Sequence, residues 1–215
     1  MSNTSSCVIL LHGLVRSAKA MEPLSRALDQ QGFYSVNEDY PSRHHSIEVL
    51  ADKAINSALE KCPKGLDINF VTHSLGGILV RQYLSKRSIE RLNRVVMLGP
   101  PNQGSEVVDK LKHVLGFRFM NGPAGMQLGT DEASVPKTLR GANFELGVIA
   151  GTRSINWGLS SLIPSTDDGK VSVESTKIEG MADHIEMSVT HPFMMKNKQV
   201  IEQVIFFLRN GSFNH

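Results

Sequence analysis

The sequence predicts an α/β fold, with a mostly parallel sheet of about six strands and helices on both of its faces. Short apolar runs alternate with longer amphipathic stretches, which is the order of βαβ units. Glycine or proline follows most of these stretches and marks their ends. The chain has 215 residues, 40% of them hydrophobic, which is enough to fill one core. We therefore expect a single domain over residues 1–215.

The apolar runs are too continuous for strands that have one solvated face, so we expect most of them to be buried on both sides. The predicted strands are Val8–Leu11, Phe33–Val36, Ile68–Thr72, Val95–Leu98, Leu146–Ala150 and Ile185–Val189. The predicted helices are Ala18–Gln31, Ser46–Lys61, Gly76–Lys86 and Lys196–Leu208. Ser46 is the predicted cap of its helix, because serine oxygens accept from free N–H groups at helix starts.

Residues 105–145 do not follow this alternation. They are rich in glycine, methionine, proline and charged residues and have weak periodicity. A connection of this length is usually functional, and we interpret it as a small cap. An ordinary irregular excursion with one or two helices fits the same composition.

Charge and cysteine content exclude several classes of protein. With 23 basic and 21 acidic residues, the net charge of +2 is too small to indicate binding to nucleic acid or to an anionic membrane. The apolar run Cys7–Leu11 is too short for a signal peptide or a membrane anchor, so we expect a cytoplasmic chain. Cys7 and Cys62 have no metal-type spacing. We expect two buried free thiols, although a disulfide depends on geometry that spacing does not reveal.

The segment Phe70–Gly77 joins a predicted strand to a predicted helix and carries Ser74 at the turn. Its pattern approximates G-x-S-x-G, with Thr72 in place of the first glycine. Such a turn exposes the serine hydroxyl, and Gly76 allows neighbouring backbone to approach it. The helix start adds the positive end of a dipole. We interpret Ser74 as a nucleophile; the alternative role for a serine here is a helix cap.

A nucleophilic serine needs a base, and the base needs an orienting carboxylate. On parallel sheets one recurrent chain order is serine, then acid, then histidine. Asp168 precedes Gly169 in the turn-rich stretch Pro164–Val171. We prefer Asp168 to Asp167 as the acid, although aspartates are also ordinary turn residues.

His191 is the predicted base. It follows the last predicted strand, at the carboxyl edge where functional residues of parallel sheets gather. The other downstream histidines fit less well, because His113 precedes the acid, His184 starts a strand and His215 ends the chain. A structural role is the default for a lone histidine, but position and order favour His191.

Two backbone N–H groups are the predicted donors to an oxyanion, one from Leu75 beside Ser74 and one from Leu14 after the first strand. Gly13 gives that loop clearance, and we expect His12 to hold it by hydrogen bonds rather than to transfer protons. A simple turn is the alternative interpretation of His12-Gly13. The predicted supporting residues are His12, Gly13, His73 and Gly76.

Five segments together resemble the lipase and esterase branch of the α/β-hydrolases, from residue 7 to the C-terminal helix. They are Leu11–Gly13, Thr72–Gly77, Pro100–Ser105, Asp168–Val171 and His191–Met195. The resemblance implies the α/β-hydrolase fold, a catalytic triad of Ser74, Asp168 and His191, an oxyanion hole, and no cofactor or metal. It leaves the substrate open, because this fold carries many activities.

We therefore predict a serine hydrolase that cleaves a small-molecule carboxylic ester through an acyl-enzyme. An acyltransferase or thioesterase with the same triad is the alternative, and a non-catalytic hydrolase-like binding module would require a broken triad. No nucleic-acid partner is expected, and the oligomeric state stays open. Apolar residues of the cap either line an acyl pocket or pack as a small core: Leu111, Leu115, Phe117, Phe119, Met120 and Met126.

Overall fold

A computed structural model describes residues 6–154 and 166–215. In these ranges six strands form one sheet in the order β2-β1-β3-β4-β5-β6, and every neighbouring pair is parallel. The strands are β1 Ser6–Leu11, β2 Tyr34–Glu38, β3 Asp67–His73, β4 Leu92–Leu98, β5 Glu145–Gly151 and β6 Asp183–Met187. The predicted parallel α/β fold is thus confirmed.

Helices connect the strands, as parallel pairing requires. They are α1 Glu22–Gln30, α2 Ile47–Lys61, α3 Leu75–Leu84, α4 Glu106–Leu111, α5 Phe117–Met126, α6 Val135–Thr138, α7 Val173–Thr176 and α8 Lys198–Asn210. Short 3₁₀ helices cover Ala18–Met21 and His191–Lys196. In the part of the chain that is described, no helix has the length and apolarity needed to cross a bilayer.

Two apolar cores lie on opposite faces of the sheet, because successive side chains of a strand point to opposite sides. Cys7, Ile9 and Leu11 of β1 pack with α2 and α3. Val8 and Leu10 pack with α1 and α8 on the other face. All five are fully buried, which explains why the strand reads as one apolar run rather than an alternating one.

The last strand and the last helix differ in their bounds from the predicted elements. β6 begins two residues before the predicted Ile185, since its register is set by pairing of Asp183 with Gly147 of β5. The predicted helix from Lys196 begins at Lys198 instead, where the side chain of Asn197 accepts a hydrogen bond from the Val200 N–H at 3.1 Å. A 3₁₀ turn occupies the residues before it.

The predicted cap at Ser46 is wrong in its chemistry. Ser46 occupies the position before α2, but its side chain accepts no bond from the helix backbone. The Ile47 N–H instead donates to Oε1 of Gln127 at 2.7 Å. Gln127 lies 80 residues along the chain, so no local pattern could predict this partner.

The expectation of two free thiols is also wrong, because Cys7 and Cys62 form a disulfide. Their Cα atoms are 5.9 Å apart, a normal separation for such a bond. Cys7 lies near the start of β1 and Cys62 directly follows α2. The helix returns along the strand, and so its end meets the strand's beginning. Both residues are buried, as predicted.

Residues 105–145 contain α4, α5 and α6, inserted between β4 and β5. Their apolar side chains differ in burial. Leu115, Phe119 and Met120 have exposed fractions of 102%, 89% and 62%, so they do not pack in a core. Phe117 does pack against the main core.

Candidate active site

Ser74 lies at the sharp turn between β3 and α3. Its backbone has φ 53° and ψ −119°, a strained conformation for a residue with a side chain. The Ser74 N–H donates to the carbonyl of Leu98 at 2.9 Å, which ties the turn to the end of β4. Ser74 is partly exposed while His73 and Leu75 are buried, so the turn presents this one side chain outward.

Two glycines allow other backbone to come close to this turn. A Cβ atom on Gly76 would lie 2.6 Å from the carbonyl oxygen of Leu11, far inside normal contact. A Cβ atom on Gly13 would lie 2.8 Å from Nδ1 of His73 and 3.1 Å from Cβ of Ser74. The loop after β1 therefore lies directly against the serine turn.

The N–H groups of Leu14 and Leu75 lie on the two sides of this contact. Among the described residues neither N–H donates a hydrogen bond to another group. The first N–H groups of a helix have no partner within the helix, and that applies to Leu75 at the start of α3. Such groups are suited to bind an oxyanion.

His191 and Asp168 form a buried pair. Nδ1 of His191 lies 2.6 Å from Oδ2 of Asp168, and their exposed fractions are 3% and 1%. The other oxygen of Asp168 accepts from the N–H groups of Lys170 at 3.0 Å and Val171 at 2.9 Å. Since the carboxylate accepts the Nδ1 proton, Nε2 of His191 is left as the basic nitrogen.

The backbone holds this pair at the carboxyl edge of the sheet. The His191 N–H donates to the carbonyl of Asp168 at 2.9 Å. Gly99, directly after β4, leaves the necessary space, because a Cβ atom there would lie 2.9 Å from Oδ2 of Asp168 and 3.1 Å from Nδ1 of His191. Asp167, the other candidate acid, uses Oδ1 to accept the Gly169 N–H at 2.6 Å in the same turn.

His73 connects the serine turn to the histidine–aspartate pair. Its Nε2 donates to the carbonyl of His191 at 3.0 Å, and the two imidazole rings have centroids 4.6 Å apart. Burial, and next the positive charge that His191 can carry, lower the pKa of His73 well below the usual value. His73 is therefore neutral and acts as a rigid spacer between Ser74 and His191.

Ser74 Oγ forms no hydrogen bond with a described residue, His191 included. In structures without substrate, catalytic hydrogen bonds are often long and tighten only when substrate binds. The serine and the imidazole share His73 as a neighbour, since His73 directly precedes Ser74 and its Nε2 donates to the His191 carbonyl at 3.0 Å.

His12 contacts Tyr40 and its own loop, the one that carries Leu14. Its ring stacks on Tyr40 with centroids 4.1 Å apart, and Nε2 accepts the Tyr40 N–H at 3.3 Å. The Tyr40 hydroxyl in turn donates to the His12 carbonyl. Burial lowers the pKa of His12 despite the nearby Asp39. A neutral, stacked ring in these contacts holds the loop after β1 against Tyr40.

The remaining candidate histidines lie away from this site. His184 is within β6, with Nε2 at 3.1 Å from Oγ1 of Thr176. His215 contacts Asp183 at 2.9 Å, and His113 is exposed in the inserted segment. Within residues 6–154 and 166–215, no three His, Cys, Asp or Glu side chains are grouped as metal ligands.

Two cations near the site were not predicted from the sequence. Arg16 follows Leu14 by two residues, and Lys170 follows Asp168 by two. The charges of both act on His73. The only signal in the sequence that could have identified these cations is their position, two residues after the predicted oxyanion donor Leu14 and two residues after the predicted acid Asp168.

Comparison with known proteins gives matches at the level of structure. No protein-family model matches the chain, and no curated protein matches its sequence. The mature lipase BlEst2 of Bacillus licheniformis superposes with a TM-score of 0.71 at 16% identity, covering 95% of this chain and 92% of that one.

Two further solved structures give a similar result. The metagenomic carboxyl esterase MGS0156 has a TM-score of 0.69 at 16% identity, over 89% of this chain and 66% of that one. The pyrethroid hydrolase PytH has a TM-score of 0.61 at 12% identity, over 96% and 98%. At this identity the likeness is one of fold. The six-stranded parallel sheet, its covering helices and these matches together show that the chain has the α/β-hydrolase fold.

Proposed function

We propose that this protein is a serine hydrolase that cleaves carboxylic esters, with Ser74 as nucleophile, His191 as base and Asp168 as the orienting acid. One observation carries the proposal: a strained, partly exposed serine directly follows His73, which binds the carbonyl of a buried histidine whose Nδ1 lies 2.6 Å from a carboxylate oxygen. A strained backbone at a residue with a side chain costs free energy. Burial of a His–Asp pair costs free energy as well. Their coincidence at one edge of the sheet is typical of a nucleophilic site.

The first half of the proposed reaction forms an acyl-enzyme. Ser74 Oγ attacks the ester carbonyl carbon while Nε2 of His191 accepts the hydroxyl proton. The carbonyl oxygen becomes an oxyanion and accepts hydrogen bonds from the N–H groups of Leu14 and Leu75. When the C–O bond to the leaving alcohol breaks, His191 returns its proton to that alcohol.

Water completes the cycle. His191 removes a proton from a water molecule, whose oxygen attacks the acyl carbon, and the bond to Ser74 Oγ breaks as the serine recovers its proton. Asp168 keeps His191 in the tautomer with Nδ1–H and stabilises the imidazolium in both halves. The two backbone N–H bonds to Oδ1 of Asp168 keep its second oxygen directed at the ring.

We also propose that residues 105–145 cap this site. A Cβ atom on Gly125 of α5 would lie 2.9 Å from Cδ2 of Leu14, so the segment touches the loop that carries one oxyanion donor. This close approach supports a role in shaping the space above Ser74.

Covalent labelling tests the nucleophile. A fluorophosphonate probe should modify Ser74 in the wild-type protein and should not label Ser74→Ala, because the phosphonate bonds to an activated serine oxygen. Ser85→Ala, at the other end of α3, is the matched control and should label normally. Labelling of a folded Ser74→Ala protein, or absence of labelling in the wild type, would remove Ser74 from the mechanism.

A substrate panel tests the reaction class. p-Nitrophenyl esters of increasing chain length, a thioester and an amide are compared with and without an added alcohol acceptor. We expect ester hydrolysis to be fastest. Transfer of the acyl group to the alcohol in preference to water would identify an acyltransferase instead.

A further inference from the structure

A cavity of about 450 Å³ lies beside the loop that carries Leu14. The loop after β1 and the loop between β2 and α2 form its walls. Its ionisable lining residues are Arg16, Asp39, Arg43 and His44. The residues around Ser74 do not line it, so it is a separate space next to the proposed site.

The cavity is attached to the oxyanion loop by short contacts. Val15, which directly follows Leu14, donates its N–H to Oγ of Ser42 at 3.1 Å. Both residues line the cavity. A substrate whose carbonyl oxygen accepts from Leu14 would therefore have one of its substituents within a few bonds of this space.

The arginines of the cavity keep their charge available. In the described part of the chain, neither Arg16 nor Arg43 forms an ion pair, and both are exposed. Asp39 is already engaged, since Oδ1 accepts the Ala18 N–H at 2.8 Å. Among the described residues, the two positive charges of Arg16 and Arg43 outweigh the one negative charge of Asp39, so the cavity has a net positive charge.

Lys170 lies outside the cavity lining and adds a positive charge next to the proposed catalytic pair. Its own N–H is bound to Oδ1 of Asp168 at 3.0 Å, which fixes the backbone from which the side chain leaves. Desolvation, and next repulsion by the charge of Arg16, lower the pKa of Lys170, although its side chain is exposed. The charge of Asp168 acts in the opposite direction. Two cations that repel each other beside a site are complementary to an anion.

We propose that Arg16, Arg43 and Lys170 bind an anionic group of the substrate, a carboxylate or a phosphate, located a few bonds from the scissile ester. This inference rests on the proposed ester hydrolysis and names the class of ester. Arginine suits the task because its planar fork can donate two parallel hydrogen bonds to either group.

The test compares esters that differ only in this charge. p-Nitrophenyl monosuccinate is set against its neutral methyl ester, and acetylated glycerol 3-phosphate against acetylated glycerol. We expect the wild type to prefer the anionic member of at least one pair, through a lower KM. The carboxylate and phosphate arms identify which anion the site accepts.

Variants locate the preference. Arg16→Gln and Arg43→Gln should each lower the ratio of kcat/KM for anionic over neutral ester by about fivefold, which corresponds to about 1 kcal/mol for a solvent-accessible ionic contact. The neutral ester is the internal reference in each variant, because it lacks the group that the arginines would contact. Arg26→Gln, an equal change of charge on the exposed face of α1, should leave the ratio as it is.

Ionic strength provides an independent measure. The wild-type preference should shrink as salt rises past 0.1 M, where the screening length is about 10 Å. Equal turnover of charged and neutral esters by the wild type, or a preference that survives both arginine substitutions, would overturn the anion site alone. Absence of turnover on every ester would overturn the proposed hydrolysis, and this inference with it.

Discussion

At the scale of single residues, the site depends on side chains whose ionisation is suppressed by burial. His73 is the clearest case, since its ring is packed between the serine turn and His191 and its Nε2 proton is used by the His191 carbonyl. Protonation of Nδ1 would place an unpaired charge in this space. The same burial that makes His73 a rigid spacer therefore makes the fold sensitive to acid.

We predict that the free energy of unfolding falls as pH decreases below about 6.5, the usual pKa of histidine. The pKa of His73 is lowered in the folded protein, so below that pH the unfolded chain binds more protons than the folded one, and stability is lost. Urea denaturation at several pH values measures the slope.

His73→Gln should flatten that slope by up to about 1.4 kcal/mol per pH unit, the contribution of one proton. His12 acts in the same direction, so a residual slope is expected. His113→Gln, on an exposed histidine, serves as the control. An identical slope in wild type and His73→Gln would contradict this account of His73.

At the scale of elements, the bond between Cys7 and Cys62 connects strand β1 to the end of α2. It closes a loop with a sequence separation of 55 residues. Such bonds are rare in the cytosol, which keeps most thiols reduced, and the cytoplasmic location expected from the sequence stays a prediction.

We predict that the double substitution Cys7→Ala/Cys62→Ala lowers the free energy of unfolding by about 4 kcal/mol, the loop-closure entropy for a ring of this size. Urea denaturation of the air-oxidised wild type, the reduced wild type and the double variant gives the comparison. The reduced wild type should behave like the variant. Two titratable thiols in the oxidised, denatured wild type would show that the bond does not form.

At the scale of the whole molecule, Arg81 joins the sheet's helices to the inserted segment. Its side chain leaves α3, is 5% exposed, and is directed at carbonyl groups from two other parts of the chain. It donates to Oδ1 and the carbonyl of Asn102 and to the carbonyls of Pro136, Leu139 and Arg140. Burial lowers the pKa of Arg81 to about 10, so the guanidinium stays positive at neutral pH.

We predict that Arg81→Met destabilises the protein by at least about 2 kcal/mol, because it leaves several buried carbonyls without donors. Arg81→Lys keeps the charge but loses the planar fork, and should recover only part of the loss. Chemical denaturation measures the stability, and hydrogen exchange over residues 135–142 should rise in both variants. Wild-type stability of Arg81→Met would exclude this bridging role.

The sequence by itself determined the layers of the molecule. Runs such as Val8–Leu11 and Val95–Leu98 are apolar at every position because strands buried on both faces require it, and this property is local. The serine turn is equally local, since the residues that permit it, Ser74 and Gly76, lie within one short segment. The order of acid and histidine along the chain narrowed the candidates further, although both Asp167 and Asp168 stayed open.

Only the tertiary structure decided which distant residues meet. Asp168 rather than Asp167 contacts His191, and Cys62 bonds to Cys7. Arg16 and Lys170 likewise come from distant parts of the chain. The path of the chain across the sheet sets each of these contacts. Exposure in the inserted segment was decided in the same way. The periodicity of apolar residues predicts whether a side chain is buried or exposed within its own helix or strand. Which residue that side chain contacts depends on the packing of elements that are far apart in the chain.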